Sequence, residues 1–443
     1  MGSRRVGMIK FPRRLKKLSN EEYEKILRRS RIKIEETMKV VIPVVKEVEE
    51  KGDEAIIKYT KKFDGISLKK EGILVKREKI KGAYKRVDPE VLGALERMQK
   101  QLEDFHIRQK RDNLIFYKSF PNGGEYRVGQ KFVPLESVGV YVPGGKGKYP
   151  STVMMGIVPA KVAGVKKVIL VSPPSQNGEI PDVVMVAADI AGANYLFKVG
   201  GIQAIAALAY GTQTIPRVDL IVGPGNIYVT AAKAYLSSMG KIATDCPAGP
   251  SEILIIADES ANSEYVGQDL LSQAEHDENA CAVLVTSSEE LARNVYLYLK
   301  EKCPGSLRRE IIEKSLRNYG AILIVDNLEE AINFANEFAP EHLEIMTEKP
   351  EKVLDKINNA GSVFLGDFSP VAAGDYLTGT NHILPTGGTA KKFSGVSVDT
   401  FLKKITFQSL SKKALEFISK DIMTLASKEG PFEEHLKAIK VRV

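Results

Sequence analysis

Two doubly wound α/β units, with a helical N-terminal arm and a helical C-terminal tail, are the fold class the sequence predicts. Short apolar, β-branched runs recur from about residue 138, and stretches with helical periodicity separate them. Parallel strands joined by crossover helices produce that alternation. The runs form two series, and 443 residues exceed what one core of usual size holds.

Through about residue 120 the chain reads as mostly helical. Ser19 with Glu22 makes a capping box, and Asp88-Pro89 supplies an N-cap and a first helical residue. Behind them Val91, Leu92, Leu95, Met98, Leu102 and Phe105 keep a helical rhythm. His106, near that helix's end, has no polar partner at a useful spacing and reads as structural or exposed.

The first strand series is Val138–Val142, Val168–Val171, Leu196–Val199 and Leu220–Val222. The second is Ile253–Ile256, Ala282–Val285, Ile322–Val325, His342–Met346 and Ser362–Leu365. After about Phe393 the chain reads as helical again, through Leu402, Ile405 and Phe407 and then Leu415, Phe417 and Ile418. The expected division is an arm at 1–45, a discontinuous unit at 46–140 and 251–392, a second unit at 141–250, and a tail at 393–443.

A net charge of +8 invites a nucleic-acid partner, but 64 basic residues face 56 acidic ones with the signs interleaved. The basic clusters Arg13-Arg14-Leu15-Lys16-Lys17 and Arg28-Arg29 lack interleaved aromatics, so a solvated helix face accounts for them. No apolar run approaches the roughly 20 residues that span a bilayer, so no membrane is expected. Met1–Lys10 has no apolar segment behind its basic residues, and a secretory signal is not expected. Cys246, Cys281 and Cys303 are scattered and form no CxxC, which fits a reducing, cytoplasmic setting. Cys246 lies near Ser251, where a thiohemiacetal is conceivable; a buried core thiol is the reading adopted.

Chemistry concentrates around the other four histidines. Ser272-Gln273-Ala274-Glu275-His276 closes an amphipathic helix that begins near Ala261. Three residues apart, Gln273 and His276 share a face, so an amide oxygen and an imidazole nitrogen can reach one metal. A capping histidine is the plainer alternative. Pro340-Glu341-His342 places an acid and a base at a strand terminus, where α/β folds bind ligands, or else a surface ion pair. Gly374–Thr386 is a long polar segment without obvious helix or strand, carrying Asp375 and His382. Glu429 and His435 fall in the tail, where disorder is the default. No GxGxxG follows the first strand of either series. Val199-Gly200-Gly201-Ile202-Gln203 and Val222-Gly223-Pro224-Gly225-Asn226 nonetheless each follow a strand and open a helix, offering backbone N–H groups to an anion.

In order along the chain stand Tyr141-Val142-Pro143-Gly144-Gly145, Gly201–Leu208, Gly223-Pro224-Gly225-Asn226, Pro247–Glu252, Ser272–His276, Pro340-Glu341-His342 and Gly379-Thr380-Asn381-His382. With these motifs the chain resembles the histidinol dehydrogenase family from about residue 20 to the end. The resemblance implies incomplete Rossmann-like units, with the one at 141–250 binding NAD through Tyr141, Gln203 and Asn226. It implies one Zn2+ per subunit on Gln273, His276, Asp375 and His435, with His342 and Glu341 catalytic. There His342 takes the alcohol proton and Glu341 activates water for a second oxidation. Ser251, His382 and Glu429 match substrate-binding positions, alongside His342 and the four metal ligands. One residue more than the family spacing separates Glu429 from His435, leaving Glu433 and Glu434 as alternatives. The implied activity is L-histidinol oxidation through L-histidinal to L-histidine with two NAD. The implied assembly is a homodimer whose tails complete each other's sites. The alternatives are a dehydrogenase of another amino alcohol and a zinc hydrolase.

Overall fold

The computed structural model describes residues 9–29, 34–145, 147–247 and 249–443. Among the described residues fourteen strands follow in chain order. They are β1 (Arg13–Arg14), β2 (Leu114–Ser119), β3 (Glu125–Pro134), β4 (Ser137–Tyr141), β5 (Lys167–Ser172), β6 (Tyr195–Lys198) and β7 (Leu220–Val222). The second half carries β8 (Ala243–Thr244), β9 (Glu252–Ala257), β10 (Cys281–Thr286), β11 (Ala321–Ile324), β12 (His342–Met346), β13 (Ser362–Leu365) and β14 (Leu402–Leu410).

Both predicted strand series form parallel sheets. The first gives a five-stranded sheet in the order β6-β5-β4-β7-β8, to which β8 adds a short edge. The second gives a six-stranded sheet in the order β1-β11-β10-β9-β12-β13, whose edge strand comes from the N-terminal arm. Helices cover both faces of each sheet, so strand residues of either parity are buried and the runs look continuously apolar. Ile253 and Ile255 enter one core of the six-stranded sheet, and Leu254 and Ile256 the other.

Two expectations are corrected. Residues 402–410 are a strand, β14, and not helix; β14 pairs antiparallel with β3, and β3 with β2. Ile405 and Phe407 alternate as strand residues do, but the partner strand β3 lies far back in the chain, in a stretch that had been assigned to no element. The second correction concerns packing. Residues 46–140 were expected with the six-stranded sheet, yet Val48, Ile56, Leu95, Met98 and Leu102 pack into the cores of the five-stranded one.

The helix starts hold. Ser19 and Glu22 form the capping box, and Asp88 accepts from Glu90 N ahead of Pro89. His106 is fully buried, and its Nδ1 meets Gln109 Oε1 at 2.8 Å, so a partner stands three residues on. Among the described residues no helix is long and apolar enough to cross a membrane.

Candidate active site

A cleft of about 710 Å³ opens between the two parallel sheets. From the five-stranded sheet come Pro143 and Asn226, just past the carboxyl ends of β4 and β7. From the six-stranded sheet come Ser251, Glu341 and His342, at the amino ends of β9 and β12. Ligand loops usually follow strand carboxyl ends. Here only one sheet does so; the other presents strand starts, where a backbone N–H without a ladder partner is free to hold a side chain. Glu252 N uses that freedom by donating to Glu341 Oε2 at 2.8 Å.

His342 is buried against the same residue. Its Nδ1 lies 2.9 Å from the Glu252 carbonyl oxygen, which only accepts, so Nδ1 carries the proton. Nε2 is therefore the lone-pair nitrogen, and it is buried without a partner. Burial pushes the imidazole down to about 4, with Asp375 opposing. Neutral at pH 7 and with an unused acceptor, His342 has the state a general base needs. Burial raises the neighbouring Glu341 carboxyl well above its ordinary range, which makes its carboxylate more basic.

The backbone that holds this pair is itself anchored. The buried Glu252 carboxyl accepts from Gly387 N at 2.8 Å and pairs with Arg29 Nη2 at 3.1 Å. Arg29 also donates to Phe338 O at 2.6 Å and lies over the Phe338 ring. Among the described residues the non-glycine positive-φ positions are Arg29, Tyr149 and Ala339. Ala339 turns the chain into Pro340-Glu341-His342, and Tyr149 lines the cleft. Strained backbone concentrates where the site is built.

The cleft gathers His276, Asp375 and His382 beside His342. His382 Nδ1 lies 3.2 Å from the Asp375 carbonyl oxygen and 3.5 Å from its Oδ1, while Nε2 meets Thr152 Oγ1 at 3.2 Å. Asp375 is held below its ordinary range because the imidazoles of His382, His342 and His276 outweigh its desolvation. Its segment is partly helical (Val371–Tyr376), where no helix was expected.

His276 N donates to Gln273 O at 3.3 Å across the turn that follows the helix carrying Gln273. The helix runs Ser263–Ala274, so His276 lies beyond its end; Gln273 is buried with Nε2 unpartnered, whereas His276 is exposed and lines the cleft. Packing between elements, not helical spacing, brings His276 to Asp375. His435 and Glu429 are not brought to the cleft. His435 is exposed and contacts the Phe432 ring, and Glu433 and Glu434 both pair with Lys437. Among the described residues, no group of three or more His, Cys, Asp or Glu stands ready to hold a metal.

Tyr141, Gln203 and Asn226 lie on the carboxyl side of the five-stranded sheet, and of the three Asn226 lines the cleft. The Tyr141 hydroxyl accepts from Gly201 N at 3.2 Å, and Asn226 caps the helix Ile227–Ser238 by accepting from Tyr228 N and Val229 N. Gln203 is fully buried with both amide atoms unpartnered. Gly223 has φ +117, and a Cβ there would meet the Tyr141 carbonyl oxygen at 2.1 Å, so the loop requires glycine. Gly223 N donates to Asp245 Oδ2 at 2.7 Å, and Lys233 pairs with Asp245 while donating to Gly223 O at 3.0 Å.

Sequence reasoning missed Arg29, Glu252, Lys233 and Asp245. Lys233 had a visible signal, as the one charged residue of the helix Ile227–Ser238. Lys233→Met should leave Asp245 buried without its cation and cost about 3–5 kcal/mol of stability in a denaturant titration. Adding Asp245→Leu should recover much of that loss; equal destabilisation in single and double variants counts against the pair. The three cysteines are buried and free, and burial pushes the Cys246 thiol up to about 12. A core thiol, as expected, is the form present.

Glycine turns on one wall and a buried imidazole with a free acceptor on the other, across a cleft between two parallel sheets, define a two-sheet α/β protein with an enzyme-like site. Comparison with known proteins sharpens that class. The family model for histidinol dehydrogenase matches residues 27–443. The histidinol dehydrogenase of Methanocaldococcus jannaschii is 49% identical over 438 residues, covering 99% of both chains. That of Caldanaerobacter subterraneus is 49% identical, covering 95% of this chain and 96% of its own. The crystal structure of histidinol dehydrogenase from Elizabethkingia anophelis superposes with a TM-score of 0.91 at 38% identity, covering 98% of each chain. The chain belongs to the histidinol dehydrogenase family.

Proposed function

We propose that the chain oxidises L-histidinol through L-histidinal to L-histidine with two NAD, the closing steps of histidine biosynthesis. The observation that carries this reading is His342, buried and neutral with Nε2 unpartnered beside His276, Asp375 and His382. In this reading Nε2 takes the alcohol proton, while the Nδ1 bond to Glu252 O keeps the ring from turning away. Glu341, its basicity raised by burial, draws a proton from water in the second half. Asp375 and His382 face the polar end of the substrate, and Ser251 lines the same wall. Walls on both sides keep the reactive aldehyde from free solvent between the two oxidations.

Gln273, His276 and Asp375 offer an amide oxygen, an imidazole nitrogen and a carboxylate, a donor set suited to Zn2+, and His435 would be the fourth. Zinc bound there supplies a Lewis-acid anchor that positions the substrate's imidazole and amine. NAD would accept the hydride and be held through Tyr141, Gln203 and Asn226, of which Asn226 lines the cleft and the buried Gln203 amide has no partner among the described residues. The unit at 141–250 then serves the dinucleotide, and the one containing 251–392 serves the chemistry. The same reading includes a cytoplasmic homodimer in which each tail carries His435, and Glu429 or a neighbouring glutamate, to the partner's cleft.

A dehydrogenase of another amino alcohol keeps His342 and Glu341 but has no use for an extended set of imidazole-facing groups. The deciding measurement is NADH formed per histidinol consumed. Two NADH, with histidine as product, are expected; one NADH, or none, ends the four-electron reading.

A further inference from the structure

We infer that a second, smaller cavity is a binding site for a phosphoryl group, free or at the end of a small ester. It lies between the N-terminal arm and the amino ends of β10 and β11, and it shares Tyr319 as a wall with the catalytic cleft. Five cationic side chains line it, Lys10, Arg13, Lys25, Arg29 and Arg317, against one acid, Glu22. Glu22 is already taken by Arg13 at 2.7 Å. Lys10, Lys25 and Arg317 make no ion pair among the described residues. Arg13 and Arg29 are thus paired with Glu22 and Glu252, and among the described residues Lys10, Lys25 and Arg317 supply the uncompensated charge.

Arg29 forms the buried part of the site. Its side chain is 2% exposed, Nη2 is held by Glu252 and Phe338 O, and Nη1 donates to Leu27 O at 3.0 Å. Nε is left buried, with no partner among the described residues. A buried donor without an acceptor is destabilising, and an anion in the cavity it lines would supply the missing acceptor. Lys25 and Arg317 stand exposed at the rim, placed to draw a charged ligand inward.

Size limits the ligand. The cavity is about 60 Å³, and a water needs roughly 10–15 Å³ of such space, so roughly four to six water-sized positions fit. Four oxygens at tetrahedral spacing match that volume, and a dinucleotide does not. Several donors converging from different elements suit an oxyanion with more than two acceptor oxygens, and arginine's fork is made for phosphate.

The test uses the full chain, with inorganic phosphate and glycerol phosphate each titrated against chloride at constant ionic strength. Binding of either by calorimetry is expected, with a rise in Tm of about 2 °C or more at saturation. Which of the two binds more tightly tells whether the site takes the free ion or the ester. Lys25→Gln combined with Arg317→Gln changes exposed residues, so folding and kcat should be unaffected while anion affinity falls at least about tenfold. Absence of binding by either anion overturns the site. So does an affinity unchanged in the double variant, or inhibition competitive with histidinol or NAD, which would place the anion in the catalytic cleft.

Discussion

His342→Asn should lower kcat by about 10²–10⁴-fold, the usual contribution of a positioned general base, with histidinol KM and bound zinc little changed. Asparagine is the informative replacement because its amide can still donate to the Glu252 carbonyl, the partner His342 Nδ1 uses at 2.9 Å. No buried acceptor is then orphaned, and the loss reports on the missing lone pair at Nε2. A near-normal turnover would place the base elsewhere. The acid limb of the pH profile gives an independent check. Burial lowers the imidazole to about 4, so the neutral, base-competent form persists as pH falls below the ordinary histidine range. A limb attributable to His342 is expected well under pH 6.

Mixed dimers should regain activity that neither parent has. His276→Ala and His435→Ala are each expected to be inactive as homodimers, since each removes a proposed metal donor. Within one chain the structure keeps His435 away from the residues that line the cleft, on a C-terminal helix of eight residues with no buried side chain. An apolar tail face needs a docking surface to become ordered. Leu114, Phe116 and Ile405 are exposed on the antiparallel sheet from which the tail leaves. If each tail serves the partner, one cleft of the mixed dimer carries both lesions and the other carries neither. Co-refolding should then restore part of the activity. Persistent inactivity of verified, zinc-supplied heterodimers would rule out the exchanged tail.

Both experiments rest on residues the chain disclosed to different degrees. The strands β4 to β7 and β9 to β13 were legible because a parallel sheet buried on both faces demands unbroken apolar runs, and crossover helices space them evenly. The helix starts at Ser19 and Asp88 were legible because capping is decided by side chains within three residues of each other. The antiparallel pairing of β14 with β3 was not, since its hydrogen bonds join segments that local periodicity cannot connect.

The same division runs through the site. The sequence by itself determined which chemistry is present: an adjacent Glu341 and His342, an imidazole near an amide at 273–276, and glycine turns that open helices at 201 and 227. Only the tertiary structure decided what state those groups are in. The tautomer of His342 depends on a carbonyl some ninety positions away, contributed by a neighbouring strand. His276 reaches Asp375 because two elements pack together, not because of spacing along one helix. Arg29, from the arm, clamps Glu252 through a buried ion pair that no local pattern announces. Residue type and local rhythm are written in the chain, whereas desolvation and hydrogen-bond partners are set by residues distant in sequence, and these determine protonation and reactivity.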